Sequence, residues 1–121
     1  MLDHIGLRTP QFDALVRFYE VAMAPLGYTK LFAWDGGAGF GRDGVAALWI
    51  ASANIRPTGI HIALSAADRA AVDAFYEAAI GAGASDNGKP GLRPDYHANY
   101  YGAFVIDPDG NSLEAVCHAV A

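Results

Sequence analysis

The feature that most constrains the fold of this chain is an internal repeat. Residues 4–7 (HIGL) recur 57 positions later as residues 61–64 (HIAL), and residues 18–20 (FYE) recur at the same spacing as residues 75–77. Several matches in the same order and at one spacing indicate a duplicated structural unit. Two copies of one unit are expected to pack about a pseudo-twofold axis, so that equivalent residues face each other.

The first unit is predicted to fold as a strand, a helix and three further strands. Residues 2–8 alternate in polarity as a strand does, and Thr9 and Pro10 then provide an N-cap and a first helical residue. The apolar residues of the helix recur every three or four positions, and Gly27 is placed to end it. Glycine-containing turns separate the three strands that follow, at residues 28–34, 39–42 and 45–51.

The second unit repeats this order with one enlarged segment. Ser65 and Asp68 have the spacing of a capping box at the start of a helix. The last two strands are predicted at residues 99–106 and 112–118. The additional residues fall at 85–98, and loops of this length in compact domains are commonly lids or binding loops.

These patterns predict one α+β domain over residues 1–121. Two βαβββ modules, at residues 1–53 and 59–121, are joined by a linker at residues 54–58. We expect the modules to form a cupped mixed sheet with the helices outside and a concave face inside.

Composition argues against several classes of partner. The net charge of -5 disfavours binding to the phosphate backbone of a nucleic acid, and no apolar run is long enough to cross a membrane. The first residues carry no secretory signal pattern, and the single cysteine, Cys117, suits a reducing compartment. We therefore expect a cytoplasmic protein that binds neither nucleic acid nor a membrane.

Two histidines and one glutamate are candidate metal ligands. His4 and His61 are equivalent in the repeat, and each shares a strand face with a small residue, Gly6 or Ala63. Glu114 interrupts an apolar strand, where a carboxylate needs a positive partner. Two histidines and a carboxylate from different strands bind divalent metals and leave coordination positions open. The sequence therefore predicts a site for Zn, Fe, Mn, Ni or Co.

On these motifs the chain resembles the vicinal oxygen chelate superfamily, also called the glyoxalase/bleomycin resistance/extradiol dioxygenase superfamily. The resemblance covers essentially the whole chain, through residues 3–7 and 61–64, the two Phe-Tyr-Glu segments and residues 107–114 (DPDGNSLE). It implies that the three candidate ligands hold a metal and that the protein is a homodimer.

The resemblance also implies a fourth ligand in members of the glyoxalase I type, an acid on the last strand of the first module. Aligning the Asp-Gly turns at residues 43–44 and 109–110 places that position at Leu48, or at Trp49 if the register differs by one. Neither side chain binds metals. The chain therefore departs from glyoxalase I and keeps the three-ligand pattern of dioxygenase-like and fosfomycin-resistance-like relatives.

The enlarged segment and the strand after it supply further candidate site residues. Arg93 is predicted to hold an anionic group of the substrate, and His97 to transfer a proton near neutral pH. Tyr100 or Tyr101 is placed to donate a hydrogen bond to an oxygen at the metal. We assign His97 and Tyr101 to catalysis, and Arg93 and Tyr100 to substrate binding.

Two functions are open at this point, and a third, a purely structural or partner-binding module, is disfavoured because it leaves Glu114 unexplained. The first is a metal-dependent enzyme whose substrate chelates the metal through two adjacent oxygens, by lyase or isomerase, transferase or dioxygenase chemistry. The second is a metal-free protein of the bleomycin-resistance kind, which sequesters a small apolar or cationic molecule in the cup. In both, Trp34, Phe40 and Trp49 are candidate substrate-binding residues.

Overall fold

The computed structural model describes residues 2–120 and contains eight strands and two α-helices in that range. The first module consists of β1 (Ile5–Thr9), α1 (Phe12–Met23), β2 (Thr29–Trp34), β3 (Gly37–Arg42) and β4 (Val45–Ser52). The second consists of β5 (His61–Ser65), α2 (Arg69–Gly81), β6 (Ser85–Leu92), β7 (Tyr101–Ile106) and β8 (Ser112–Cys117). Neither helix in the described range is long and apolar enough to cross a membrane.

Each module forms a four-stranded mixed sheet with one helix packed on it. The strand orders are β1-β4-β3-β2 and β5-β8-β7-β6. The first strand of each module pairs in parallel with the last, and the other pairs are antiparallel. The predicted α+β fold of two βαβββ modules is confirmed.

The helices begin and end for local reasons. A short 3-10 turn (Ala24–Leu26) follows α1 and ends at Gly27, whose φ of 83° is readily adopted only by glycine. The side chain of Asp68 accepts a hydrogen bond from the Ala71 backbone N–H at 2.8 Å, so Asp68 is the N-cap of α2. The predicted capping box put the start of this helix at Ser65, which instead ends β5.

The strand register corrects the alignment of the two modules by one residue. Trp49 pairs with Gly6 as Glu114 pairs with Ala63, so Trp49 is the equivalent of Glu114. Phe40 of β3 pairs with Leu48, but the next residue, Gly41, pairs with Ala46, so a β-bulge leaves Ala47 of β4 as an extra residue. β7 and β8 pair without such a shift. The extra residue explains why alignment on the Asp-Gly turns pointed to Leu48.

Part of the predicted long loop is a strand. Residues 85–92 form β6, which pairs with β7 at the edge of the second sheet, and only residues 93–100 form a turn segment. Gly88, Pro90 and Gly91 give this stretch a loop-like sequence. An edge strand tolerates such residues, and the pairing shifts register on both sides of Gly88.

The two modules pack through their helices and through the edges of their sheets. α1 lies against α2. One cleft lies between residues 2–5 and residues 62–64, and a second lies between residues 6–8 and residues 55–60. β1 therefore shares one cleft with β5 and another with the segment before β5, while the two sheets remain separate in their hydrogen bonding.

A buried polar contact also ties the modules together. The Tyr19 hydroxyl on α1 donates to Asp107 Oδ2 at 2.5 Å, and Asp107 also accepts from the backbone N–H groups of Asp109 and Asn111. Tyr19 is fully buried, so its hydroxyl requires this partner.

Candidate functional site

The centre of the candidate site is a buried carboxylate. Glu114 lies on β8 with 2% of its surface exposed, on the sheet face opposite the helix. Its neighbours Leu113 and Ala115 face the core, as strand alternation requires. Two side chains bond to the carboxylate: His61 at Oε1 and Tyr100 at Oε2.

His61 is oriented by two hydrogen bonds. Its Nε2 lies 2.9 Å from Glu114 Oε1, and its Nδ1 lies 2.9 Å from Ser112 Oγ. We assign the proton to Nε2 because a carboxylate only accepts hydrogen bonds, so Ser112 donates to Nδ1. The Ser112 hydroxyl can also accept from Nδ1–H, which would leave Nε2 free to bind a metal.

Tyr100 covers the other oxygen of the carboxylate. Burial, followed by the hydrogen bond to Glu114 and its negative charge, raises the pKa of Tyr100 to about 12. The hydroxyl therefore stays protonated near neutral pH and acts as a donor. Tyr100 belongs to the turn segment 93–100, so that segment closes over one side of the carboxylate.

His4 is the predicted ligand that stands apart. Its side chain is 56% exposed, and its Nδ1 lies 2.7 Å from Asp3 Oδ1. His4 nonetheless lines the cleft that also contains Ala63, the register partner of Glu114. Across residues 2–120, no group of three His, Cys, Asp or Glu side chains is arranged to hold a metal.

The residues at Glu114 fit a divalent metal in their chemistry. The carboxylate is desolvated and needs a positive partner, and an imidazole nitrogen lies next to it. Imidazole and carboxylate together suit Zn, Fe, Mn, Ni and Co. The structure thus brings His61 and Glu114 together and leaves the third predicted ligand, His4, in the cleft that contains Ala63.

Arg93 and His97, both in the turn segment, have different surroundings. The Arg93 guanidinium lies 5.4 Å from the ring centroid of Phe104, which pairs in register with Glu114. His97 lies beside His118, with 2.5 Å between its Nε2 and the Nδ1 of His118, and packs against the ring of Tyr100. Arg93 therefore lies over the register partner of Glu114, and its guanidinium donates to the backbone oxygens of Lys89 and Leu92. His97 contacts Tyr100, which bonds to Glu114.

Two predicted site residues lie on the other side of the sheets. The Tyr101 hydroxyl donates to Asp73 Oδ1 on α2 at 2.7 Å, which places Tyr101 on the helix side. Phe40 is fully buried in the hydrophobic core and pairs with Leu48. Both follow from alternation along the chain, since Tyr100, next to Tyr101, and Gly39, next to Phe40, lie on the open face. We therefore remove Tyr101 and Phe40 from the candidate site.

The open face of the first sheet carries an aromatic patch, which we define as Phe32, Trp34 and Trp49. Phe32 stacks on Trp49 at 5.6 Å between ring centroids, and Trp34 lies 5.9 Å from Trp49. Phe32 is 46% exposed and Trp34 is 58% exposed. The spacing of two between Phe32 and Trp34 places both on one face of β2.

A family model described as Glyoxalase/Bleomycin resistance protein/Dioxygenase superfamily matches residues 1–115. No curated protein shows a significant sequence match.

Solved structures share the fold at low sequence identity. A glyoxalase/bleomycin resistance protein from Albidiferax ferrireducens T118 is 24% identical, with a TM-score of 0.83 over 97% of this chain and 98% of that one. A glyoxalase/bleomycin resistance protein/dioxygenase family enzyme from Burkholderia phytofirmans PsJN is 18% identical, with a TM-score of 0.74 and coverage of 97% and 98%. Lactoylglutathione lyase from Agrobacterium tumefaciens is 19% identical, with a TM-score of 0.67 and coverage of 97% and 92%.

Proposed function

The chain belongs to the Glyoxalase/Bleomycin resistance protein/Dioxygenase superfamily, and from that premise we propose that it is a divalent-metal-dependent enzyme acting on a small substrate with two adjacent chelating oxygens. The observation that carries the proposal is the buried Glu114 carboxylate in contact with His61 Nε2. A carboxylate this desolvated is costly to keep without a positive partner, and a metal is the partner that its neighbours suit.

His61 and Glu114 would hold the metal, with His4 as the third ligand. His4 would have to leave Asp3, which costs little because both side chains are exposed and the pair is screened by water. His4, directly before β1, already lines the cleft that contains Ala63, the register partner of Glu114. The metal would supply a Lewis acid with open coordination positions.

The residues around Glu114 would bind and orient the substrate. Tyr100 keeps its proton near neutral pH and donates a hydrogen bond on the open side of the carboxylate. The Arg93 guanidinium, above Phe104, is placed to bind an anionic group. His97 packs on Tyr100 and would exchange protons with solvent through His118.

The proposal covers lyase or isomerase, transferase and dioxygenase chemistry. All three would use a substrate that offers two adjacent oxygens to one site. None of them is selected by the residues around Glu114 alone, because binding and proton transfer by Tyr100, Arg93 and His97 are compatible with each.

A metal-free binding protein is the second candidate function. The aromatic patch favours it, because half-exposed tryptophan and phenylalanine side chains on a concave protein face are typical of small-molecule sites. In this function the cup would hold an apolar molecule, and Glu114 would remain bonded to His61 and Tyr100.

Cobalt spectroscopy separates the two functions. Metal-free protein is titrated with Co²⁺, whose visible absorption reports protein ligands, and acetohydroxamate is then added as a probe with two adjacent oxygens. The enzyme proposal predicts a protein-bound cobalt spectrum that acetohydroxamate changes and that Glu114→Gln abolishes. Absence of a protein-bound spectrum in the wild type would contradict the enzyme proposal and favour the binding protein. His118→Ala is the matched control.

We also propose a cytoplasmic homodimer. Several large apolar side chains outside the aromatic patch remain on the surface, including Leu2 at 79% and Val45 at 68% exposure, and such surface favours association. Light scattering coupled to size exclusion measures the mass in solution. A monomer at micromolar concentration would contradict the dimer.

A further inference from the structure

The aromatic patch lies on a part of the sheet that has no side chains beneath the rings. Trp34 pairs in register with Gly37, and both Trp49 and Phe32 pair with Gly39. A Cβ added at Gly37 would lie 2.2 Å from the Trp34 ring, and one added at Gly39 would lie 2.5 Å from the Trp49 ring. The two indoles therefore rest on bare backbone, which holds them close to the sheet and leaves ring surface toward the solvent.

Bare strand surface continues from the patch onto β1. Gly6 pairs with Trp49 on the side away from Gly39, and a Cβ added at Gly6 would meet nothing within 4 Å. A flat molecule lying on Trp49 therefore has free space over Gly6.

Positive charge lies next to the patch. Arg8 is exposed on the same face of β1 as Gly6. Arg8 pairs in register with Ala51, and Ala51 pairs on its other side with Gly37, which lies beneath the Trp34 ring. Arg8 and Arg56 line one cleft, and none of the residues that line it is acidic. Neither arginine forms an ion pair with any residue in the 2–120 range.

From this arrangement we infer that the open face of the first module binds a planar aromatic ring that carries an anionic group. The ring stacks on the aromatic patch, and the anion binds at Arg8 and Arg56. If the bound molecule is the substrate, the inference rests on the proposed function. Its test uses metal-free protein, so binding of the aromatic anion is measured separately from metal binding.

Charge and shape select this occupant over others. A cation on the rings would meet the two arginines, whereas an anion gains from them. A saturated ring buries apolar area but loses the stacking that planar rings obtain on indole faces. A second copy of this chain is the remaining occupant, because the patch is apolar and exposed, and the experiment includes it.

Calorimetry with three probes tests the inference on metal-free protein. 2-Naphthoate has the ring and the anion, 2-naphthol lacks the anion, and decahydro-2-naphthoate lacks the planar ring. We expect 2-naphthoate to bind most tightly, and Trp34→Leu and Trp49→Leu each to weaken it about tenfold. We expect Arg8→Gln to weaken 2-naphthoate and to leave 2-naphthol unchanged. Lys89→Gln, at an exposed position on β6 in the second module, is the charge-matched control, and circular dichroism checks that each variant is folded.

Three results would overturn the inference. The first is equal affinity for 2-naphthoate and decahydro-2-naphthoate, and the second is unchanged 2-naphthoate binding in both tryptophan variants. The third is that Trp34→Leu converts a dimer to a monomer by light scattering, which would identify the patch as a contact between copies of this chain. Metal binding is measured separately, so its failure would leave a positive result with 2-naphthoate intact.

Discussion

Trp49 occupies the position in the first module that Glu114 occupies in the second. Each pairs in register with the small residue that lies two positions after the first histidine of its module, Gly6 or Ala63. The two sheets have the same strand arrangement, but one carries an aromatic patch and the other a buried carboxylate. The open face is therefore chemically asymmetric, with an apolar half and a half suited to a metal.

The contact between Trp49 and Gly39 gives the first prediction. Gly39→Ala places a Cβ within 2.5 Å of the Trp49 ring, so the ring must move off the strand. We expect an altered tryptophan fluorescence spectrum and a loss of about 1–2 kcal/mol in the free energy of unfolding. Gly6→Ala, on the other side of Trp49, meets nothing within 4 Å and serves as the control. Identical spectra for the two variants would contradict the position of the ring.

The buried bond between Tyr19 and Asp107 gives the second prediction. Tyr19→Phe leaves a buried carboxylate oxygen without one of its donors, so the free energy of unfolding in urea should fall by about 2 kcal/mol. Tyr76→Phe is the control, because its hydroxyl bonds to Asp86 in an exposed setting and its loss should cost less. Equal losses of unfolding free energy in the two variants would contradict the larger contribution expected of the buried Tyr19–Asp107 bond.

The raised pKa of Tyr100 gives the third prediction, for metal-free protein. Spectrophotometric titration should show a tyrosine that ionises near pH 12, and Tyr100→Phe should remove that step. Since the folded-state pKa lies above the ordinary value of 10.0, the bond stabilises the fold fully below about pH 10. That stabilisation is lost as the pH rises toward 12. Glu114→Gln should lower the pKa, because it removes the negative charge, and an unchanged pKa would contradict the contact.

The sequence predicted the fold well because the repeat and the strand alternation are visible in the order of the residues alone. The same alternation placed Glu114 opposite the core and brought it together with His61, which the structure shows in contact. The sequence did not decide whether Leu48 or Trp49 is the equivalent of Glu114. The alignment used the Asp-Gly turns, and their sequence does not reveal the bulge next to Phe40. Tyr101 and Phe40 were predicted in the site, but alternation puts them on the helix side, because their neighbours Tyr100 and Gly39 lie on the open face.

Other features depend on contacts between distant residues, which composition and spacing do not reveal. Residues 85–92 read as a loop because they contain two glycines and a proline, and only pairing with β7 makes them a strand. The partners of His4 and His97, which are Asp3 and His118, depend on side-chain rotation. The metal role of His4 stays a prediction, as does the catalytic role of His97.

Metal content per chain is the measurement that tests the central claim most directly. Protein is purified without a polyhistidine tag, incubated with Zn, Fe, Mn, Ni or Co, freed of excess metal and analysed for its elements. The account predicts near-stoichiometric metal in the wild type and in His118→Ala, and its loss in His61→Ala, Glu114→Gln and His4→Ala. Wild-type protein that stays empty with every metal, or that keeps its metal when Glu114 is replaced, would contradict the account.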